Sequence, residues 1–206
     1  MKTLLQIKAS IFSDGGQSSR LADRYVAQWQ ATNHRGRVIT RDPAKDPVPH
    51  LTAERFQAFL AKPEDRTLAQ AADAAYSDAL IDELKSADVI VLGLPMYNFG
   101  VPSALKAYFD HVARGGQTFR YTEKGPVGLL TGKKAYVLAT RGGLYAGSAL
   151  DTQTGYVRDF LRFIGIADVQ FVYAEGLAMG DEAKNAALAK AHGAISSHAQ
   201  PVAVAA

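Results

Sequence analysis

The 206-residue chain contains no cysteine, which excludes disulfides, thiolate chemistry and cysteine-ligated metals. It contains no run of basic residues either. The net charge is only +3, from 23 basic against 20 acidic side chains, too small and too scattered for a nucleic-acid surface. No apolar stretch approaches the ~20 residues that span a bilayer. Met1-Lys2-Thr3-Leu4-Leu5 runs straight into a strand-like segment with no cleavable signal. Two phosphate-binding signatures are also missing: no G-x-G-x-x-G follows the first strand, and no G-x-x-x-x-G-K-[ST] occurs. A Rossmann dinucleotide site and a nucleoside-triphosphate loop are therefore poorly supported. These absences leave a soluble cytoplasmic protein with neither nucleic-acid nor membrane partners. What is present is a 48% hydrophobic composition, enough for one sizeable core and a single domain over residues 1–206.

Apolar segments of strand length alternate with helical patterns. "KTLLQIKAS", "RVITRD", "ADVIVLGLP", "KKAYVLATRGG" and "DVQFVYAEG" read as five strands. The third is an almost unbroken apolar run, as expected for a strand buried on both faces of a parallel sheet. Helices are expected over Ser18 to Asn33 (with Ser18 or Ser19 as N-cap), Ala53 to Leu60 and Leu68 to Leu84. Others are expected from about Pro102 to Ala113, Tyr156 to Phe163 and Glu182 to Ala199, before a frayed tail, "PVAVAA". Strands separated by helices imply right-handed parallel crossovers. The expected fold class is α/β: a flavodoxin-like, doubly wound, five-stranded parallel sheet of order 2-1-3-4-5, with helices on both faces. Ligands in such sheets sit at the carboxyl ends of the strands, where the winding reverses between strands 1 and 3.

Three unusual loops follow strands 1, 3 and 4, and so converge on that place. The first carries Ser10, Gly16, Gln17, Ser18 and Ser19 into a helix start. Backbone N–H groups there, with adjacent hydroxyls, suit a phosphate; a plain turn with a Ser N-cap is the competing reading. The second, Pro95-Met96-Tyr97-Asn98-Phe99-Gly100, places two aromatics and a Met in a short connection. It offers backbone groups to a ring edge and apolar walls around it, or else packs against its own helix or a subunit partner. In the third, Thr140-Arg141-Gly142-Gly143, paired glycines let bare N–H groups approach a flat ligand. Arg141 is expected to place positive charge nearby, and a turn using glycine for positive φ is the alternative. A phosphate at the first loop and a flat polar ring at the other two describe flavin mononucleotide, FMN.

Residues 95–143, "PMYNFGVPSALKAYFDHVARGGQTFRYTEKGPVGLLTGKKAYVLATRGG", closely resemble the FMN-dependent NADH-azoreductases of the flavodoxin-like quinone reductase group. The likeness extends to "KASIF…GQSSRLAD" and to "FLRFIGIADVQFVYAEG". The resemblance implies ping-pong electron transfer from NADH or NADPH through FMN to quinones and aromatic azo compounds. It also implies a homodimer with FMN sites near the interface. Carried over by position, Ser10 and Gly16-Gln17-Ser18 match phosphate contacts. Met96, Tyr97, Asn98 and Phe99 match the ring-binding loop, and Thr140, Arg141, Gly142 and Gly143 its second contact. Gly16 stands where many relatives have Ser, so a hydroxyl contact is lost there and a backbone N–H is expected to remain. Lys124 replaces a more usual Asn. Phe119 and Tyr121 lie in a segment that, by resemblance, walls the substrate pocket, with core or interface packing as the alternative.

No side chain is assigned as a catalytic acid, and no metal site is expected; the flavin performs the chemistry. His111, on the helix after the second loop, is expected to be structural or at the surface. The rival function is a flavodoxin-type electron carrier without a substrate pocket. A sequence pI near 9.0 and the extra residues 41–66 count against it. A regulatory domain on the same scaffold remains a third reading.

Overall fold

The computed structural model describes residues 1–198. Five parallel strands form its central sheet: β1 (Thr3–Lys8), β2 (Arg37–Arg41), β3 (Val89–Pro95), β6 (Lys134–Thr140) and β7 (Asp168–Ala174). Their spatial order is β2-β1-β3-β6-β7, which is 2-1-3-4-5 when only sheet strands are counted. The helices are α1 (Gln17–Thr32), α2 (Ala53–Leu60), α3 (Leu68–Ser86), α4 (Ser103–Val112), α5 (Thr152–Phe163) and α6 (Asp181–His198).

Strand alternation divides the core into two layers. Leu5, Ile7, Ile90, Leu92, Leu94, Ala135 and Val137 pack against α3, α4 and α5, through side chains such as Leu80, Phe109 and Leu161. Leu4, Val91, Tyr136, Leu138 and Val172 face the other way, onto Leu21, Tyr25 and Trp29 of α1 and Ile195 of α6. Both faces of the sheet are covered, so β3 and β6 have no polar face. Gly93 interrupts the apolar run of β3 for a steric reason. A Cβ there would lie 2.8 Å from the Ser18 carbonyl oxygen, so glycine lets the first turn of α1 rest on the strand.

Four sequence expectations need correction or completion. The N-cap of α1 is Gly16, not Ser18 or Ser19, which lie inside its first turn. Helix α5 begins at Thr152, four positions before Tyr156, because the Asp151 carboxylate accepts from the Thr154 N–H and caps it. A short antiparallel hairpin, β4 (Phe119–Thr122) with β5 (Gly125–Gly128), is added to the five sheet strands. Its two-residue turn is Glu123-Lys124, so Lys124 sits at the hairpin tip. His111 is buried within α4 between Phe59 and Tyr76, its Nδ1 at 3.0 Å from Ala107 O, and burial lowers its pKa. It is structural rather than a surface residue. The "PVAVAA" tail lies outside the described residues.

Candidate cofactor site

The first loop leaves β1 at Lys8, makes a single turn of 3-10 helix over Ser13–Gly15 and enters α1. Lys8 is buried, and its ammonium lies 2.7 Å from both the Asp14 and Asp23 carboxylates. Lys45 reaches Asp14 from the next segment at 2.6 Å. Hydrogen bonds from Lys45 and Lys8 hold the Asp14 carboxyl down to about 2. These ties fix the approach to α1.

The helix start itself is unsatisfied. Gly16 offers no side-chain cap, and among the described residues the N–H groups of Gln17, Ser18 and Ser19 have no acceptor. The Ser18 and Ser19 hydroxyls are buried and also unpartnered. A buried helix end with this many free donors calls for an anion, which the helix dipole favours at the same point. Ser10, buried, stands beside it with its Oγ 3.3 Å from Tyr97 Oη. Gly16 packs closely on it: a Cβ would fall 2.2 Å from Ser10 Oγ and 2.5 Å from Ser10 Cβ, so Ser10 would have to shift to admit a side chain. Its N–H donates to Ser13 O, so the free donor expected at position 16 belongs instead to the three residues after it.

In the second loop, Met96 N–H is bound to Thr140 O of β6, tying this loop to the third. The third loop departs from expectation at Arg141. Its side chain is 0% exposed and points no free charge at a ligand. The guanidinium binds Asp151 Oδ1 at 2.8 Å, Thr154 Oγ1 at 2.8 Å and Glu175 Oε1 at 3.1 Å. Burial alone pushes the Asp151 carboxyl up, but hydrogen bonds from Arg141 and Thr154 outweigh it and hold it below the usual range. Glu175 Oε1 also accepts from the N–H groups of Tyr145 and Ala146, both at 2.9 Å. The cluster therefore braces the loop from behind. Gly142 and Gly143 have no acceptor for their N–H groups among the described residues.

Two cavities open between these loops. One, of about 250 Å³, is lined by Ser10, Gly16, Gln17, Met96, Tyr97 and Gly142, among others. The other, of about 240 Å³, is lined by Met96, Asn98, Phe99, Gly142 and Tyr145. Met96 and Gly142 belong to both, so the two cavities adjoin. Tyr145 was not foreseen. Its ring packs edge-on against Phe99 at 5.6 Å, and its hydroxyl would touch a Cβ on Gly143 at 2.7 Å. An aromatic two residues past a glycine pair was the available signal. Of the expected site residues, Ser10, Gly16, Gln17, Pro95–Phe99 and Thr140–Gly142 line these cavities, while Ser18, Ser19 and Gly143 follow them in the chain without lining either.

Phe119 and Tyr121 lie away from both. Phe119 packs on Phe163, at the far end of α5, with ring centres 4.3 Å apart. Leu130 N–H, just past the hairpin, binds Ile164 O on the connection into β7. The hairpin thus lies by the amino ends of the strands. It is roughly 18 Å, the length of a 12-residue helix, from the α5 start that meets Arg141.

Residues 1–199 match the family described as having the flavodoxin-like fold. The chain belongs to this flavodoxin-like family. Within it, a Cellvibrio japonicus protein named FMN-dependent NADH:quinone oxidoreductase is 56% identical over 190 residues, covering 92% of this chain and 96% of its own. A Burkholderia lata protein named FMN-dependent NADH:quinone oxidoreductase 6 is 52% identical, covering 95% of this chain and 98% of its own. Among solved structures, an FMN-dependent NADH-azoreductase from Bacillus anthracis in complex with FMN superposes with TM-score 0.86 at 26% identity. The match covers 97% of this chain and 100% of that one. The likeness to azoreductases and quinone reductases read from "PMYNF" through "RGG" is borne out. For a flavodoxin-like chain the residues present fit FMN. The unpaired donors and buried hydroxyls at α1 suit its phosphate, and the free N–H groups of Gly142 and Gly143 suit a flat polar ring. Among the described residues no helix is long and apolar enough to cross a membrane.

Proposed function

We infer that this chain is an FMN-dependent NADH:quinone oxidoreductase, folded as one domain, that also reduces aromatic azo compounds. The observation that carries the reading is the uncapped start of α1, whose Gly16 and Gln17 line the first cavity, which shares Met96 and Gly142 with the aromatic-walled second. Bound FMN would supply the two-electron chemistry linking NADH oxidation to acceptor reduction. The protein's part is to hold and tune it. The α1 start binds the phosphate, while Met96, Tyr97, Phe99 and Tyr145 shield the ring end from water. The N–H groups of Gly142 and Gly143 provide preorganised donors for developing negative charge. Donor and acceptor take turns at this one mouth, a ping-pong order. A mouth walled by Phe99, 49% exposed, and Tyr145 favours an enzyme over a bare electron carrier.

Steady-state NADH oxidation with menadione or methyl red tests this reading, and turnover that depends on added FMN is expected. An FMN-loaded protein that turns over neither acceptor would sink it.

The position of Phe119 and Tyr121 supports a homodimer. Tyr121 is 76% exposed and remote from its own chain's cavity, so these rings reach a substrate only at a partner's site. A dimer is expected by light scattering, and a fully active monomer would contradict it. NADH as donor fits a cytoplasmic location.

A further inference from the structure

The Tyr97–Gly100 turn carries the strained backbone of the ring end. Asn98 and Phe99 both lie in the left-handed region, at φ 50° and 62°. Tyr97 N–H binds Gly100 O at 3.2 Å and Gly100 N–H binds Tyr97 O at 2.9 Å, closing a two-residue hairpin turn with both central φ values positive. Such turns favour Asn-Gly, and here Phe99 occupies the position where glycine is preferred. A bulky residue stays there only where the surroundings over-determine it.

The surroundings come from the first turn of α5. Gln153 is fully buried, and its Nε2 donates to Pro95 O at 2.8 Å and to Gly100 O at 3.1 Å. Those two carbonyls bracket the turn. Its neighbour Thr152 donates through Oγ1 to Phe99 O. The amide orientation is dictated by its partners, because a flipped Gln153 would set its oxygen against two carbonyls. Its Oε1 has no partner, so the side chain is not there to satisfy itself. Nor does it cap its own helix, a task done by Asp151.

We propose that Gln153 is a positioning residue for the flavin ring, clasping both ends of the Pro95–Gly100 loop in its strained turn before the cofactor arrives. The inference rests on the FMN reading above. Holding the turn in advance removes an ordering penalty from binding. It also fixes the main-chain dipoles that tune the bound ring.

The test uses the full-length apoprotein, titrated by flavin fluorescence quenching, with Gln153→Met as an isosteric variant lacking donors. The loop holds the ring and not the phosphate, so FMN and riboflavin should both weaken by the same factor, about tenfold, leaving their ratio unchanged. The midpoint potential of bound FMN should shift to more negative values, with apoprotein thermal unfolding near wild type. Gln153→Glu, which keeps the length, should repeat the loss at alkaline pH, where the carboxylate has no donor, and recover part of it as acidification restores one O–H. Unchanged affinities and potential, or a loss confined to FMN, would overturn the proposal. Failure of both variants to fold would overturn it too, by making Gln153 a residue of the fold. A wild-type protein that does not bind FMN would instead remove the reading on which the proposal rests.

Discussion

Arg141→Met is expected to lower stability by about 3–5 kcal/mol, the usual penalty for stripping one partner from a buried ion cluster. For a chain of this size that corresponds to a fall in Tm of roughly 10–15 °C, measured by calorimetry or circular dichroism. The size of the effect follows from geometry: the guanidinium is 0% exposed and answers two carboxylates, Asp151 and Glu175, that are themselves largely buried. Methionine fills similar space and leaves both charges stranded. The pH dependence has a definite sign. In the wild type the Asp151 pKa is lowered, so its contribution is present above the unfolded value and is lost as pH falls through the folded one. That window lies below about 3.9. In the variant, burial without Arg141 raises the carboxyl pKa, so acidification relieves the stranded charges. The stability gap should therefore narrow as pH falls from 7 toward 4, and a gap that widens would contradict this account of the cluster. FMN binding should weaken as well, because Glu175 also holds the Tyr145 and Ala146 amides.

Gly93→Ala is expected to weaken FMN by ~100-fold or more, equivalent to losing about two hydrogen bonds to a charged group. The added Cβ would lie 2.8 Å from Ser18 O, 3.1 Å from Ser18 C and 3.4 Å from Ser19 N. All three are backbone atoms of the α1 first turn, so no side-chain rotation relieves the contact. The helix start must move off β3, taking its free donors away from the phosphate. Riboflavin, which lacks the phosphate, should weaken much less. Equal losses for the two flavins would mean that Gly93 supports the ring end instead.

The legible part of the fold was the part written in continuous apolar runs. "ADVIVLGLP" is almost unbroken apolar, as expected of a strand covered on both faces, and five strand-length segments separated by helices implied the winding and therefore the end of the sheet where loops meet. Short, exposed or polar elements left no such trace. The hairpin of Phe119–Thr122 and Gly125–Gly128 has four-residue strands, Pro126 and little burial, so period-2 alternation had nothing to act on. The start of α5 was hidden by Asp151-Thr152-Gln153-Thr154-Gly155, a polar run in which the buried Gln153 and Thr154 side chains bond to Pro95 O and to Arg141, far away in the chain.

Within the site, positions were legible and roles were less so. The three loops were placed by topology, yet Arg141 proved to be an internal brace. Its partners lie 10, 13 and 34 residues away, a pairing that no local pattern announces. Gly16 is similar. Its closeness to Ser10, whose Oγ stands 2.2 Å from where a Cβ would be, joins positions six residues apart in a loop that shows no local pattern.

The central claim is that the uncapped start of α1 holds the phosphate of FMN. Fluorescence titration of the wild-type apoprotein with FMN and with riboflavin tests it most directly. FMN should bind at least ~100-fold more tightly, again about two hydrogen bonds to a charged group, and inorganic phosphate should compete with FMN alone. Equal affinity for the two flavins, or no quenching by FMN, would contradict the account.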